Sequence, residues 1–189
     1  MSKNEWYETQ LCGYKISLPI RDVGGIRIAS DHVALEKPSL IDKCGEELAK
    51  KLKKYKPEVV LVPEAKGLGL ANFVGIYLSC DLSIARKSVK SYMEDRYLEV
   101  ETKSITTREK QKLILDSTSA AKLRGKKVCI VDDVISSGGT IRATKKLCEK
   151  AGGRPVCVGV IWIEGKRWKE LEGIPIESLA YLPIWPSKA

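Results

Sequence analysis

Apolar positions along this chain fall into two rhythms. Val59-Val60-Leu61-Val62, Leu82-Ser83-Ile84-Ala85, Val128-Cys129-Ile130-Val131 and Val156 to Trp162 are short apolar runs bounded by turn residues, the pattern of strands buried on both faces. Between them, Leu40, Ile41, Cys44, Leu48, Leu52 and Tyr55 recur at helical spacing, as do Ile141, Ala143, Thr144, Leu147, Cys148 and Ala151. Ser39, with Asp42 three residues on, predicts the start of the first of these helices, and Pro57 lies beyond its end. Leu68 to Leu78 predicts a further helix, Lys166 to Leu171 a short helical turn, and Ile176 to Leu182 a last strand. Strands alternating with helices predict an α/β fold: one domain over residues 1–189, with a parallel twisted sheet flanked by helices and right-handed crossovers. Ligands of such sheets bind at the C-terminal ends of the strands. The loops after Val62, Ala85 and Val131 all leave such ends.

Two segments stand outside this rhythm. Residues 1–37 alternate over Tyr14 to Ile20, which predicts a strand or an extended hairpin apart from the main sheet. Arg86 to Thr107 is charged and has little periodicity. A segment that is partly β and partly mobile is expected there, in the manner of an active-site lid. Gln111 to Leu115 is expected to pair as a strand.

Composition narrows the class. A chain of 189 residues suffices for one well-buried α/β domain. No apolar run reaches the roughly eighteen residues of a membrane span, and the first residues lack an apolar signal core, so a cytoplasmic protein without a membrane partner is expected. The six cysteines form no CxxC pair and sit in apolar stretches, which predicts buried free thiols rather than zinc ligands or disulfides. His32 is the one histidine, so no histidine metal site is expected. The formal charge of +9 is assigned to solvated lysine-rich helix faces and a small polyanionic substrate. No zinc finger, RNA-recognition signature or helix-turn-helix is visible, and nucleic acid is not expected as a partner.

The chemistry concentrates in Val128 to Thr140. A buried strand ends in two adjacent carboxylates, Asp132 and Asp133. A small-residue loop, Ser136-Ser137-Gly138-Gly139-Thr140, then runs into a helix. Strand, glycine loop and helix N-terminus make an anion site: the backbone can approach a phosphate closely, its N–H groups point at it, and the helix dipole adds favourable charge. Two side-by-side carboxylates next to such a site repel both each other and the anion. They make sense as acceptors for ribose hydroxyls or as ligands of a divalent metal. A strand-end acidic turn or a plain glycine helix entry would explain either half alone, but not the whole order. Pro63-Glu64-Ala65-Lys66-Gly67 is a second strand-to-helix loop. Its Gly67-Leu68-Gly69 invites a dinucleotide-binding reading, but Asn72 occupies the place of the third glycine, so that reading is discounted.

The Val128–Thr140 stretch resembles the signature of the type I phosphoribosyltransferases for 5-phosphoribosyl-1-pyrophosphate (PRPP), with Ser137 where threonine is usual. The resemblance implies that Ser136, Ser137, Gly138, Gly139 and Thr140 hold the 5-phosphate. It also implies that Asp132 and Asp133 hold the ribose hydroxyls and a Mg²⁺ ion. Glu64, Ala65, Lys66 and Gly67 resemble the pyrophosphate loop of the purine enzymes, with a cis or strained peptide expected at Ala65–Lys66. Arg86 and Lys87 match a basic pair that meets the pyrophosphate, and Lys90 and Tyr92 would cover it in a closed lid over 86–107. Trp162, Ile163 and Glu164 would form the base pocket, under a hood made of residues 1–37 and about 163–189. Ser104-Ile105-Thr106-Thr107 also resembles the purine members, particularly the xanthine enzymes and the purine repressor. The implied activity is transfer of phosphoribose from PRPP to a purine base, giving a nucleoside monophosphate and pyrophosphate in purine salvage. Adenine is the favoured base, xanthine or another 6-oxopurine the alternative, and a homodimer the expected assembly. A PRPP-sensing purine regulator that binds DNA is a second class, against which stand the few residues ahead of the α/β body.

Overall fold

The computed structural model of the chain describes residues 5–93, 96–103, 110–166 and 168–187. Its centre is β4 (Val59–Pro63), every residue of which is buried. Period-two alternation sends Val60 and Val62 into one layer and Val59 and Leu61 into the other. The six-stranded sheet runs β10-β11-β9-β8-β4-β5. β5 (Asp81–Ala85), β8 (Lys127–Ile135), β9 (Arg154–Glu164) and β11 (Ile174–Leu182) join β4 as a parallel set. Two-residue β10 (Glu170–Leu171) adds an antiparallel edge. This is the expected α/β class.

On one face lie α2 (Pro38–Leu52) and α3 (Leu68–Leu78), whose Leu40, Cys44, Leu48, Leu70 and Val74 pack with Val62, Val131 and Trp162. On the other lie α4 (Ser117–Leu123) and α5 (Gly139–Lys150), with Leu123, Ala143 and Leu147 against Leu61 and Val128. A short α1 (His32–Leu35) precedes α2. The N-terminal segment is a separate antiparallel sheet: β1 (Trp6–Leu11), β2 (Tyr14–Val23) and β3 (Ile26–Ala29), closed at its edge by β12 (Ile184–Pro186). Leu11, Ile16 and Leu18 drop from it into the core shared with α2.

Several expectations change. α2 begins at Pro38 behind Lys37, and no side chain caps it, so Ser39 lies inside the first turn. Proline at the first helical position, with its φ already set and no N–H to satisfy, fixes the start instead. Among the described residues of 166–171 there is no helical turn. Leu171 and Ile174 are buried in one apolar cluster beside Trp168, and the Glu172-Gly173 turn, both residues at positive φ, folds β10 back onto β11. α4 carries no clear periodicity in sequence, but Asp116 caps it by accepting from Ser119 N–H at 2.9 Å. The charged excursion contains β6 (Tyr97–Lys103), paired along its length with β7 (Lys110–Asp116). Residues 94, 95 and 104–107 of the expected lid, with the Ser104 to Thr107 resemblance, lie outside the described residues, as do residues 1–4, 167, 188 and 189 of the expected hood. Cys12, Cys44, Cys80, Cys129, Cys148 and Cys157 are free thiols. No helix among the described residues is long and apolar enough to cross a membrane.

The α2–α3 contact depends on Gly45, where an added Cβ would lie 2.3 Å from Cβ of Phe73. Gly45→Ala should gain about 1 kcal/mol of helix propensity and lose more to overpacking, for a net destabilisation of about 1–2 kcal/mol. A urea denaturation midpoint equal to or above that of the parent chain would show that the two helices are not in tight contact.

Candidate active site

The cleft forms where β4 and β8 end. It is lined by Pro63, Glu64, Ala65, Lys66, Lys87, Leu113, Asp132, Asp133, Val134 and Thr140. Parallel strands stop here and their loops diverge, so the site follows from sheet topology. β8 runs on through Asp132 and Asp133 to Ile135, which buries both carboxylates, at 8% and 4% exposure. The Asp133 N–H donates to Asp132 Oδ1 at 2.9 Å. Gly67 sits against this pair. A Cβ there would lie 3.0 Å from Asp132 Oδ1 and 3.1 Å from its Cα, so only glycine lets the start of α3 come so close.

Lys66 is the cation of the cluster. Its Nζ donates to Asp133 Oδ2 at 2.8 Å and to Asp31 Oδ1 at 2.7 Å. The lysine side chain is half exposed, whereas the side chains of Asp31 and Asp133 are only 7% and 6% exposed. Burial pushes the Asp132 carboxyl well above the usual range, and the neighbouring Asp133 pushes it further. Burial also works against the charge on Asp133, but its hydrogen bond with Asp132 and the Lys66 ammonium hold it below the usual value. Burial and then Asp133 lift Asp31 to about 6 against the pull of Lys66. On Lys66 itself, burial is outweighed by Asp133 and Asp31, so the ammonium stays firmly protonated. The pair on β8 is thus a proton-sharing couple beside a fixed cation, and it presents oxygen acceptors to a ligand.

The pyrophosphate-type loop is held by its own acid. Glu64 accepts from Lys87 N–H at 3.0 Å and from Arg86 Nη1 at 3.2 Å, which holds its carboxyl below the usual range, the backbone bond from Lys87 first. Arg86 is also bridged through its backbone to Ile114. One nitrogen of its guanidinium bonds Glu64, while Lys87 lines the cleft. Lys90 Nζ donates to Ser88 Oγ at 2.8 Å, and Tyr92 is 61% exposed. The cis peptide lies at Glu64–Ala65, one bond before the expected Ala65–Lys66. Glu64, tied to Lys87 and Arg86, and Lys66, tied to two carboxylates, fix the chain on either side of Ala65.

The loop after β8 joins the strand directly to the N-terminus of α5. Gly138, at φ 78°, precedes α5 as its cap residue, and its left-handed backbone turns the loop into the helix N-terminus. Two residues that carried no sequence signal shape the loop: Arg142 Nη1 donates to Ser137 O at 2.9 Å and Trp168 Nε1 to Ser136 O at 3.0 Å. Gly139 N–H donates to Ser137 Oγ at 3.4 Å, and Thr140 lines the cleft.

The three residues expected at the base pocket separate. β9 continues to Glu164, and strand alternation sends Trp162, fully buried, into the α2 side of the core and Ile163 into the opposite layer. Glu164, at the strand end, is raised by burial against the opposing hydrogen bond with Ser136 and the attraction of Lys66. The residue missed altogether is Asp31, an aspartate before a four-residue helix with nothing in its spacing to connect it to Lys66.

An α/β sheet with an acidic pair, a glycine anion loop and a lysine loop at its C-terminal edge, under a small antiparallel sheet, is the type I phosphoribosyltransferase architecture. The phosphoribosyl transferase domain family matches residues 34–186, and the chain belongs to that family. It is 33% identical over 149 residues to an orotate phosphoribosyltransferase of Thermotoga maritima, covering 79% of this chain and 67% of the relative. It is 33% identical over 122 residues to the transcriptional regulator GfcR of Archaeoglobus fulgidus, covering 65% and 55%. In three dimensions it is similar to the adenine phosphoribosyltransferase of Thermoanaerobacter pseudethanolicus, with a TM-score of 0.71 and 26% identity over 86% of this chain and 95% of that one. Structural neighbours of this kind, with xanthine phosphoribosyltransferase relatives such as that of Leuconostoc mesenteroides, 26% identical over 76% of this chain and 77% of the relative, put the chain on the purine branch.

Removing the cluster's cation should expose the cost of its acids. In Lys66→Met, Asp31 and Asp133 keep their burial and lose their shared counter-charge. Breaking a fully buried pair costs about 3–5 kcal/mol, and the half-exposed lysine reduces this to about 1–3 kcal/mol. A urea midpoint unchanged from the parent chain would mean that the three groups are not coupled.

Proposed function

We propose that this protein transfers the phosphoribosyl group of PRPP to a purine base, with adenine first, releasing pyrophosphate and a nucleoside monophosphate in purine salvage. The observation that carries the reading is the cleft, where the ribose-type acid pair, the glycine anion loop and the Lys66 loop meet at one sheet edge. The likeness to an adenine enzyme at 26% identity favours adenine within that class. Catalysis rests on positioning PRPP and stabilising charge on the leaving pyrophosphate. Ser136, Ser137, Gly138, Gly139 and Thr140 take the 5-phosphate. Asp132 and Asp133 take the ribose hydroxyls, and Lys66 and Lys87 the pyrophosphate. Arg86 and Lys90 complete that side, and the Glu164 end of β9, with Trp162 and Ile163 behind it, backs the base.

Among the described residues there is no group of three or more metal-ligating side chains. The donor set of two carboxylates therefore fits a Mg²⁺ ion that arrives with PRPP and keeps most of its ligands from phosphate and water. Asp132 and Asp133 would hold it, and it would neutralise developing charge on the pyrophosphate. A cytoplasmic homodimer is the expected form. Residues 86–107 act as the lid, closing over PRPP to keep water from a centre of oxocarbenium character.

The deciding assay supplies PRPP and Mg²⁺ with adenine, guanine, hypoxanthine, xanthine and orotate in turn, the product read by chromatography. AMP as the main product is expected, and turnover of orotate alone would overturn the purine reading. Asp132→Asn and Asp133→Asn should fold and lose about 2–4 kcal/mol of transition-state stabilisation in kcat/KM. Activity near that of the parent chain in both variants would remove the site assignment. Amides of Lys87 to Met93 should exchange quickly in the free protein and slowly with PRPP and Mg²⁺, while Val128 to Val131 stay protected throughout. Equal exchange with and without ligand would make this segment fixed structure.

The likeness to a GfcR regulator and the charge of +9 favour one second reading, a PRPP-responsive regulator that binds DNA. A mobility-shift titration separates it from the first: regulator binding would weaken steeply as salt rises, whereas the enzyme reading expects no specific shift.

A further inference from the structure

Asp31 stands where a helix cap belongs and does not cap. It precedes α1, and its backbone carbonyl accepts from the N–H groups of Ala34 and Leu35, yet its side chain makes no bond to the helix. An aspartate in that position ordinarily accepts an N–H of the first turn. Here the carboxylate points the other way, to Lys66 of the β4–α3 loop at 2.7 Å. The residue is 5% exposed, and its second oxygen, Oδ2, is buried without a hydrogen-bond partner. A local stabilising bond is forgone and one carboxylate oxygen is left without a hydrogen-bond donor in the interior. Both choices lower stability, and such departures from local rules fall at functional positions.

Lys66 divides its ammonium between Asp31 and Asp133. In the PRPP reading above, on which this inference rests, Asp133 turns to the ribose and Lys66 to the pyrophosphate. A ligand that engages Asp133 takes away one of the two carboxylates of Lys66, and Asp31 is the one that stays. We propose that Asp31 is a positioning residue of the PRPP site, holding the Lys66 ammonium at the cleft mouth so that it faces the pyrophosphate after Asp133 has been claimed by the ribose. Without Asp31 the lysine has Asp133 as its one remaining partner, and each ligand contact must be made by breaking that pair. The segment between the small sheet and the main sheet thereby takes part in substrate binding without touching substrate.

The test is a double-variant cycle on the full chain. Affinity for PRPP in the presence of Mg²⁺ is measured by isothermal titration calorimetry, with thermal unfolding as the check on folding. Asp31→Asn is expected to bind PRPP at least tenfold more weakly than the parent chain, and Asp31→Glu to recover part of the loss. Should Asp31→Asn not fold, Asp31→Ser, whose hydroxyl can cap α1, takes its place. The loss should disappear in the Lys66→Ala background, where the double variant binds as Lys66→Ala alone does. A loss under tenfold, or the same loss in both backgrounds, overturns the proposal, because Asp31 would then act without Lys66. A parent chain that binds no PRPP, or Lys66→Ala that binds it undiminished, overturns the PRPP reading itself and the proposal with it.

Discussion

Two buried carboxylates at the end of β8 are the constraint around which this structure is arranged. A strand that carries Asp132 and Asp133 inside the domain raises the free energy of the fold unless a cation and hydrogen-bond donors stand close by. Lys66 supplies the cation, and the Asp133 N–H bonded to Asp132 supplies a local donor. Gly67 lets α3 begin within contact of the pair. The turn from β4 into α3 and the loop between them are therefore set by the need to compensate one acidic pair.

The same compensation leaves the site ready for anions. Glu64 binds Arg86 and the Lys87 backbone, and α5 begins directly behind Gly138. Cations are thus fixed by acids on the core side, while Thr140, in the first turn of α5, and Lys87 line the cleft. Rigid second partners of this kind hold charged groups in place before a ligand arrives, which lowers the reorganisation needed at binding.

What was legible in the sequence follows from the range of the interactions. β4, β5, β8, β9, α2, α3 and α5 were readable because each announces itself by local periodicity. The glycine loop and acidic pair were readable because their chemistry is contiguous in the chain. Asp31 was not, since it meets its partner 35 residues on and its own neighbours suggest only a cap. Trp168 and Arg142 reach the anion loop from elements of unremarkable pattern. The separation of Ile163 from Trp162 turned on where β9 ends: because the strand runs two residues beyond Trp162, neighbouring side chains there alternate between its faces. α4 hides because Ser117-Thr118-Ser119 reads as loop until Asp116 is seen to cap it.

The edge of the small sheet has a consequence for how this chain is made. One edge of β3 is held by β2 and the other stays open until Ile184–Pro186 pairs with it, and in synthesis from the N-terminus every element of the α/β body emerges between the two. The α/β core has its own local contacts and can assemble first, whereas the N-terminal strands wait with an open edge for a partner more than 150 residues behind them. Nascent chains with such an edge are liable to pair with one another. The last strand therefore acts as a closing signal: the small sheet is completed only after the α/β body has been built.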